Sequence, residues 1–476
     1  MAIADHLVMA AMSHLRAGQR QDAARVCRDI LRVEPDHARA HCLLGIIAFQ
    51  DGDLDGALSL LERAGTLNDN LPDVPRAQAE VYLGIGEIDK ALEAQRRATA
   101  MNPREPVGHL QEAILLQRLE RPQEAEVAAE RALKLKPDTV GAQQLLATLL
   151  YRRGEIARAA ELLLSARRAK TPAADPNHHL ALVLFALGRY AEMASLPAAG
   201  AANQRLGETV VAAITAWTAS DDEACRNLLQ QARPLAAGAV TEAPNRSVFL
   251  TYIAILEGLL AWRQANPQAY GGQAGSTVHV IGDSHVLSYA GLTVAGPDGP
   301  QHMESHLVFG CKAWHLVRDQ PSPYRAFFEA TAARLQAGST VLAVFGELDC
   351  RYKEGLMRVL RKEPLADWRA MTDALVARYV TFMAETAQAR GWTLWLASPP
   401  MTNVNTGLIL EDERGPFLGI IARFNERLRE EAAARDLRLV DVHAVTRESG
   451  GAPVRRHFID TNHVRPSALL EALAAI

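Results

Sequence analysis

Ser284, Asp460 and His463 are residue types that, brought together, activate a hydroxyl for attack on a carbonyl. Ser284 stands in Ile281-Gly282-Asp283-Ser284-His285, directly after a short apolar run that reads as a strand. A serine at that junction, opening a helix, faces the crevice beyond the strand ends, where helix amides stabilise developing negative charge. In Phe458-Ile459-Asp460-Thr461-Asn462-His463 the aspartate precedes the histidine by three residues. In a tight loop such an aspartate fixes the imidazole tautomer while the other ring nitrogen faces a serine. Taken singly, each motif has a plainer use: serine caps helices, and Asp-x-x-His is frequent in turns.

A second constellation, Gly346-Glu347-Leu348-Asp349-Cys350-Arg351, follows another apolar run. Its two acids and its arginine suit either an ion-pair network at a strand end or a direct part in chemistry. His285 is placed to touch substrate or to make a structural hydrogen bond. His302 and His306, four apart, would share one face of a helix, but no carboxylate or cysteine is evidently placed to complete a metal site, so none is expected. Cys311 and Cys350 flank the motifs as small buried thiols. No phosphate-binding or dinucleotide fingerprint occurs, and no cofactor is expected.

Behind these motifs the sequence from Thr277 onward alternates short apolar runs with amphipathic segments. Residues 277–281, 340–345, 393–397 and 437–441 read as buried strands. Helices are predicted over 323–336, 366–390 and 416–435, with a short one from Pro466. Such alternation implies a mostly parallel sheet covered by helices, with its site beyond the strands' carboxyl ends.

The serine on the first strand and the Asp/His pair about 180 residues later resemble the SGNH hydrolase superfamily, the GDSL-type esterases and lipases. The resemblance covers about the last 200 residues and implies a three-layer, flavodoxin-like α/β fold. It makes Ser284 the nucleophile, His463 the general base and Asp460 its orienting partner. The Ser284 amide becomes one oxyanion donor, and Gly310, in Val308-Phe309-Gly310-Cys311, a second. Gly346, Arg351, Asp283 and His285 fall around the same substrate-binding region. The family's third block carries an asparagine donor where this chain has Leu348, which cannot donate. Either Arg351 or another group replaces it, or the reaction departs from simple ester hydrolysis.

The first half has a different texture. Alanine recurs every 34 residues at Ala23, Ala57, Ala91, Ala125 and Ala159. Glycine keeps the same period at Gly18, Gly52, Gly86, Gly154 and Gly188, with Glu120 in the remaining slot. Pro35, Pro103 and Pro137 fall on the lattice too, with Asp69 and Thr171 completing their row. The glycine suits a helix end, the alanine a close helix crossing, and the proline the exit from the second helix. This resembles the tetratricopeptide repeat family over roughly residues 4–207, and implies an all-α superhelix whose groove takes a protein or peptide partner. An apolar helix near 246–263 is expected to cap the stack. The expected division is therefore a repeat domain at 1–263, a Gly/Pro-rich linker at 264–276 and an α/β domain at 277–476.

The 476 residues are enough for two or three cores, and the net charge of −4 gives no general pull toward nucleic acid. The stretch 248–262 is short for a membrane span and contains Glu257. No basic-then-apolar leader opens the sequence, and five scattered cysteines suggest reduced thiols, so a cytoplasmic protein is expected. The combined expectation is a serine-dependent esterase acting on an acylated small molecule or glycan, with a docking array and scope for homo-oligomers. Acyl transfer through the same residues, or a scaffold with a non-catalytic ligand-binding domain, are the alternatives.

Overall fold

The computed structural model describes residues 2–168, 179–195, 202–238, 246–271, 275–296 and 299–476. Thr171 of the proline row and part of the expected linker lie outside these residues. The chain forms two compact units: Met1–Leu149 with Leu162–Ala174, and Leu150–Glu161 with Asp175–Ile476. The division falls well before the Gly/Pro-rich segment.

The repeat region is a run of helix pairs: α1 (Ala2–Arg16) with α2 (Arg20–Val33), α3 (Ala38–Gln50) with α4 (Leu54–Leu67), and α5 (Asp73–Ile85) with α6 (Ile88–Met101). It continues through α7 (Pro106–Arg118), α8 (Pro122–Leu135), α9 (Val140–Arg153) and α10 (Ile156–Arg168). The five lattice alanines are buried, because each lies where its helix crosses a neighbour. The five lattice glycines all have positive φ, between 71° and 91°. Glu120, in the slot where glycine is missing, adopts the same left-handed region at φ 57°. The turn geometry is thus imposed by the repeat, and Glu120 bears a strain that glycine would not.

Five further helices, α11 (His179–Ala186), α12 (Tyr190–Ala194), α13 (Ala202–Thr218), α14 (Asp222–Gly238) and α15 (Arg246–Ala265), belong to the second unit. The α15 helix, expected to cap the repeats, packs here against α13 and α14. Among the described residues it is the one helix long and apolar enough to cross a membrane, and much of it is buried inside this unit. Its Arg263 is buried between the rings of Trp217 and Tyr270, 3.7 and 4.3 Å from their centroids. The guanidinium pairs with Asp222 at 2.6 Å and donates to the Ala290 carbonyl at 2.7 Å. Trp217 donates its indole N–H to the Leu287 carbonyl at 2.8 Å. Two buried polar contacts therefore tie the helices to the segment that follows the first strand.

The sheet strands are β1 (Ser276–Gly282), β2 (Thr293–Gly296), β3 (Gly299–Leu307), β4 (Thr340–Val344), β5 (Thr393–Ala397) and β6 (Arg438–Val440). Between and after them run α16 (Ala313–Val317), α17 (Pro323–Ala332), α18 (Gly355–Lys362), α19 (Trp368–Arg390), α20 (Glu411–Ala434), α21 (Val442–Thr446) and α22 (Pro466–Leu473). The sheet is mixed, in the order β2-β3-β1-β4-β5-β6, with β2 antiparallel on β3 and every other pairing parallel. The five parallel strands follow the doubly wound order 2-1-3-4-5, which opens a crevice at the carboxyl end of the first strand.

The β2–β3 hairpin was not anticipated. His302 and His306, expected on a helix, lie on β3. Four residues along a strand span about 13 Å, so these two rings cannot share an ion.

Candidate active site

β1 ends at Gly282, and the chain turns at Asp283 into a 3₁₀ turn over Ser284–Ser288. The Asp283 carboxylate caps that turn, accepting the His285 amide at 3.0 Å. This lifts Ser284 onto the wall of a cavity of about 630 Å³ that His463, Gly310, Leu348 and Arg351 also line. Ser284 Oγ lies 2.8 Å from His463 Nε2, and His463 Nδ1 lies 2.8 Å from Asp460 Oδ2. The geometry is that of a hydroxyl donating to imidazole, and an imidazole N–H donating to a carboxylate.

The loop carrying Asp460 is pinned on several sides. Asp460 Oδ1 accepts the amides of Asn462 and His463, both at 2.7 Å. Asn403 donates its side-chain amide to the Asp460 carbonyl, and the Ile459 amide donates to the His463 carbonyl. Burial works against the Asp460 charge, yet the His463 ring and these amides outweigh it and hold the carboxyl below its ordinary range. His463 shifts downward: burial favours the neutral ring, Asp460 opposes this, and the nearby His285 and Arg351 cations reinforce it. A neutral His463 has a lone pair for the serine proton.

His285 accounts for one of those cations. Its Nδ1 faces Asp283 Oδ1 and its Nε2 faces the Asn462 carbonyl, each at 2.9 Å. Both partners are acceptors, so both ring nitrogens carry protons. Burial alone would favour the neutral ring, but Asp283, with Glu347 behind it, raises the pKa to about 9. The ring stacks on His463 with centroids 4.9 Å apart. Of the two uses open to His285, the geometry gives the structural hydrogen bond: its nitrogens are occupied by protein. Asp283 and His285 stand behind Ser284 rather than on the cavity wall.

The Gly346–Arg351 segment divides its labour. Glu347 and Arg351 form an ion pair, with Arg351 Nε 2.8 Å from both carboxylate oxygens. Asp349 instead caps α16, accepting the Ala313 amide at 2.7 Å and the Trp314 amide at 3.2 Å. Burial pushes its carboxyl up to about 7, against those two donors. Through α16 it fixes the preceding loop and Gly310. Gly346, expected at the substrate, does not line the cavity. It is a backbone pivot with φ 113°, where a Cβ would come within 2.4 Å of the Phe424 ring. Among the described residues, neither the Ser284 nor the Gly310 amide donates to a protein acceptor. Leu348 stands buried on the wall with no donor to offer.

A further part of the wall has no motif in the sequence to mark it. It is built by α15, through Val248, Phe249, Thr251, Tyr252 and Ile255, together with Phe309, Tyr324 and Phe327. Tyr252 and Phe309 meet edge to face at 5.5 Å. The signal available was an α15 sequence apolar on more than one face, which marks a helix buried on two sides. Three cations, Lys312, Arg351 and Arg358, reach the cavity, the first paired with Glu354 at 2.9 Å.

Residues 8–72 match the family model of the tetratricopeptide repeat, and residues 120–195 the one described as anaphase-promoting complex, cyclosome, subunit 3. The N-terminal region is built of tetratricopeptide repeats. A solved structure described as functional characterization of Pseudomonas aeruginosa pilF is 14% identical, covers 50% of this chain and 93% of its own, and has a TM-score of 0.37. A tetratricopeptide repeat protein from Parabacteroides merdae is 16% identical over 54% of this chain and 100% of its own, at 0.34. A thermophilic TPR protein from Thermus thermophilus is 20% identical over 38% and 98%, at 0.31. No curated protein matches in sequence.

Proposed function

We propose that the C-terminal unit is a serine-dependent ester hydrolase of the SGNH type, served by the repeat array as a docking module for a protein partner. The observation that carries this reading is the run of 2.8 Å contacts from Ser284 to His463 to Asp460 at the wall of a cavity. In the proposed reaction His463 Nε2 takes the Ser284 proton as Oγ bonds to the ester carbonyl carbon, and the carbonyl π electrons move to oxygen. The Ser284 and Gly310 amides receive that oxyanion. The intermediate collapses, the C–O bond to the alcohol breaks, and His463 returns the proton to the leaving oxygen. Water, deprotonated by the same nitrogen, then cleaves the acyl-serine, releasing the acid and regenerating Ser284.

An O-acyl group on a carbohydrate or glycoconjugate is the preferred substrate. The aromatic and aliphatic wall, interrupted by Arg358 and by the ion-paired Lys312 and Arg351, suits a polar ligand bearing an apolar group. With Leu348 in place of a third donor, turnover is expected to be slower by roughly 100-fold or more than with a complete hole.

Labelling by a fluorophosphonate probe tests the nucleophile. Wild type should label, and Ser284→Ala should not; equal labelling of the two, or none of the wild type, overturns the reading. A second reading, acyl transfer to a sugar hydroxyl, draws on the size of the cavity, which has room for an acceptor beside the acyl group. Hydrolysis of p-nitrophenyl acetate with and without a sugar separates the two. Acylated sugar with faster turnover would replace hydrolysis by transfer.

A further inference from the structure

Away from the serine, one face of the sheet gathers imidazoles and a carboxylate. β1 and β3 pair in parallel, with His279 opposite Glu304 and Ile281 opposite His306. Strand alternation therefore puts His279, Glu304 and His306 on the same face. His279 Nδ1 and His306 Nε2 are 3.0 Å apart. The Glu304 carboxylate straddles them, one oxygen 3.4 Å from His279 Nδ1 and the other 3.6 Å from His306 Nε2. The two rings are largely covered, while Glu304 is about half exposed, at 48%.

These separations fit an ion better than a chance meeting of side chains. Metal–nitrogen bonds of about 2.0–2.1 Å and metal–oxygen bonds of about 2.0–2.2 Å in a tetrahedron set neighbouring donor atoms roughly 3.3–3.5 Å apart. The two nitrogens at 3.0 Å, and a different Glu304 oxygen 3.4 and 3.6 Å from each, lie close to that edge, so a small turn of the carboxylate brings one oxygen to a shared ion. Without an ion, one imidazole must donate to the other and the carboxylate is left to water. The other candidate cluster, Asp283, His285 and Glu347, lacks this freedom, because both His285 nitrogens already donate to protein acceptors.

We propose that His279, Glu304 and His306 form a three-ligand site for a divalent transition-metal ion of the zinc type, with a fourth position open to water. Two imidazoles and one carboxylate select zinc, cobalt, nickel or copper over magnesium and calcium, which take oxygen donors. The site lies three residues before the Gly282 that ends β1 and one residue before the Leu307 that ends β3. It clips together the strands that deliver Ser284 and the Gly310 loop. The proposal is independent of the serine chemistry, and its readouts do not use activity.

The experiment is zinc and cobalt binding by the chelator-treated full-length protein. Calorimetry should give one tight zinc equivalent for wild type, and cobalt should give the intense visible bands of a tetrahedral centre. Glu304→Gln, at a half-exposed position, should weaken zinc binding at least tenfold, and His279→Ala should abolish it. His302→Ala, on the same strand face but outside the cluster, should bind like wild type. Zinc should also raise the wild-type melting temperature, and not that of His279→Ala. Absence of a tight equivalent in wild type, or its persistence in Glu304→Gln and His279→Ala, overturns the site and leaves a hydrogen-bonded histidine pair. A His302→Ala loss equal to that of Glu304→Gln also overturns it, since binding would then be diffuse across the face.

Discussion

Replacing Asp460 by asparagine isolates the orienting role of this residue, because the structure dictates how the new amide must sit. Asp460 Oδ1 accepts two backbone amides at 2.7 Å, so the asparagine oxygen must stay there or leave both donors unpaired. Its NH₂ then occupies the Oδ2 position, 2.8 Å from His463 Nδ1. That nitrogen must accept instead of donate, which moves the ring proton to Nε2, where it faces Ser284. In this tautomer His463 cannot take the serine proton. The expected loss in kcat/KM is of order 10⁴-fold, about 5 kcal/mol of transition-state stabilisation. The loop keeps its backbone contacts, so the melting temperature should change little. The assay is hydrolysis of p-nitrophenyl acetate by wild type and Asp460→Asn, with circular dichroism to check the fold. A folded Asp460→Asn protein within tenfold of the wild-type rate would refute the assignment of His463 as base.

Three further substitutions give four more outcomes. His285→Gln removes a cation stacked on His463, which should then hold its proton to higher pH. The acid limb of the pH–rate profile should move to higher pH, and an unmoved limb contradicts the coupling. Because folding raises the His285 pKa from 6.5 to about 9, its stabilising contribution is whole below pH 6.5 and fades between 6.5 and 9; the melting-temperature advantage of wild type over His285→Gln should shrink across that interval. Gly346→Ala puts a methyl group 2.4 Å from the Phe424 ring at φ 113° and should cost about 2–4 kcal/mol in urea unfolding. Trp217→Phe takes the buried indole donor from the Leu287 carbonyl and should cost about 1–3 kcal/mol in the same measurement.

How much of this was legible in the sequence depended on whether the signal was local. The repeat lattice was, because each slot serves one turn or one crossing, and even Glu120 was marked as the exception. The Ser284 and Asp460–His463 motifs were, because a strand end and a four-residue loop are short-range objects. β3 was not: its polar face, with His302, Glu304 and His306, hides the apolar alternation, and i,i+4 histidines fit a helix as well as a strand. Nor was the placement of α15 legible. Its apolar residues announce burial, but whether they cover a repeat or a crevice depends on tertiary partners such as Phe309 and Trp217. Gly346 and Asp349 sat in a motif that looked chemical, and their work is to shape and hold backbone.

The wall that α15 gives the cavity has a consequence for how such a site diversifies. Ser284, Asp460 and His463 come from one sheet and its loops, whereas Val248, Thr251 and Ile255 come from a helix encoded before the first strand. Substitutions along that helix can reshape what the crevice admits without disturbing the turn, the loop or the strand ends that hold the reacting atoms. On the proposed function, the range of ligands admitted could therefore change through α15 while Ser284, Asp460 and His463 stay as they are.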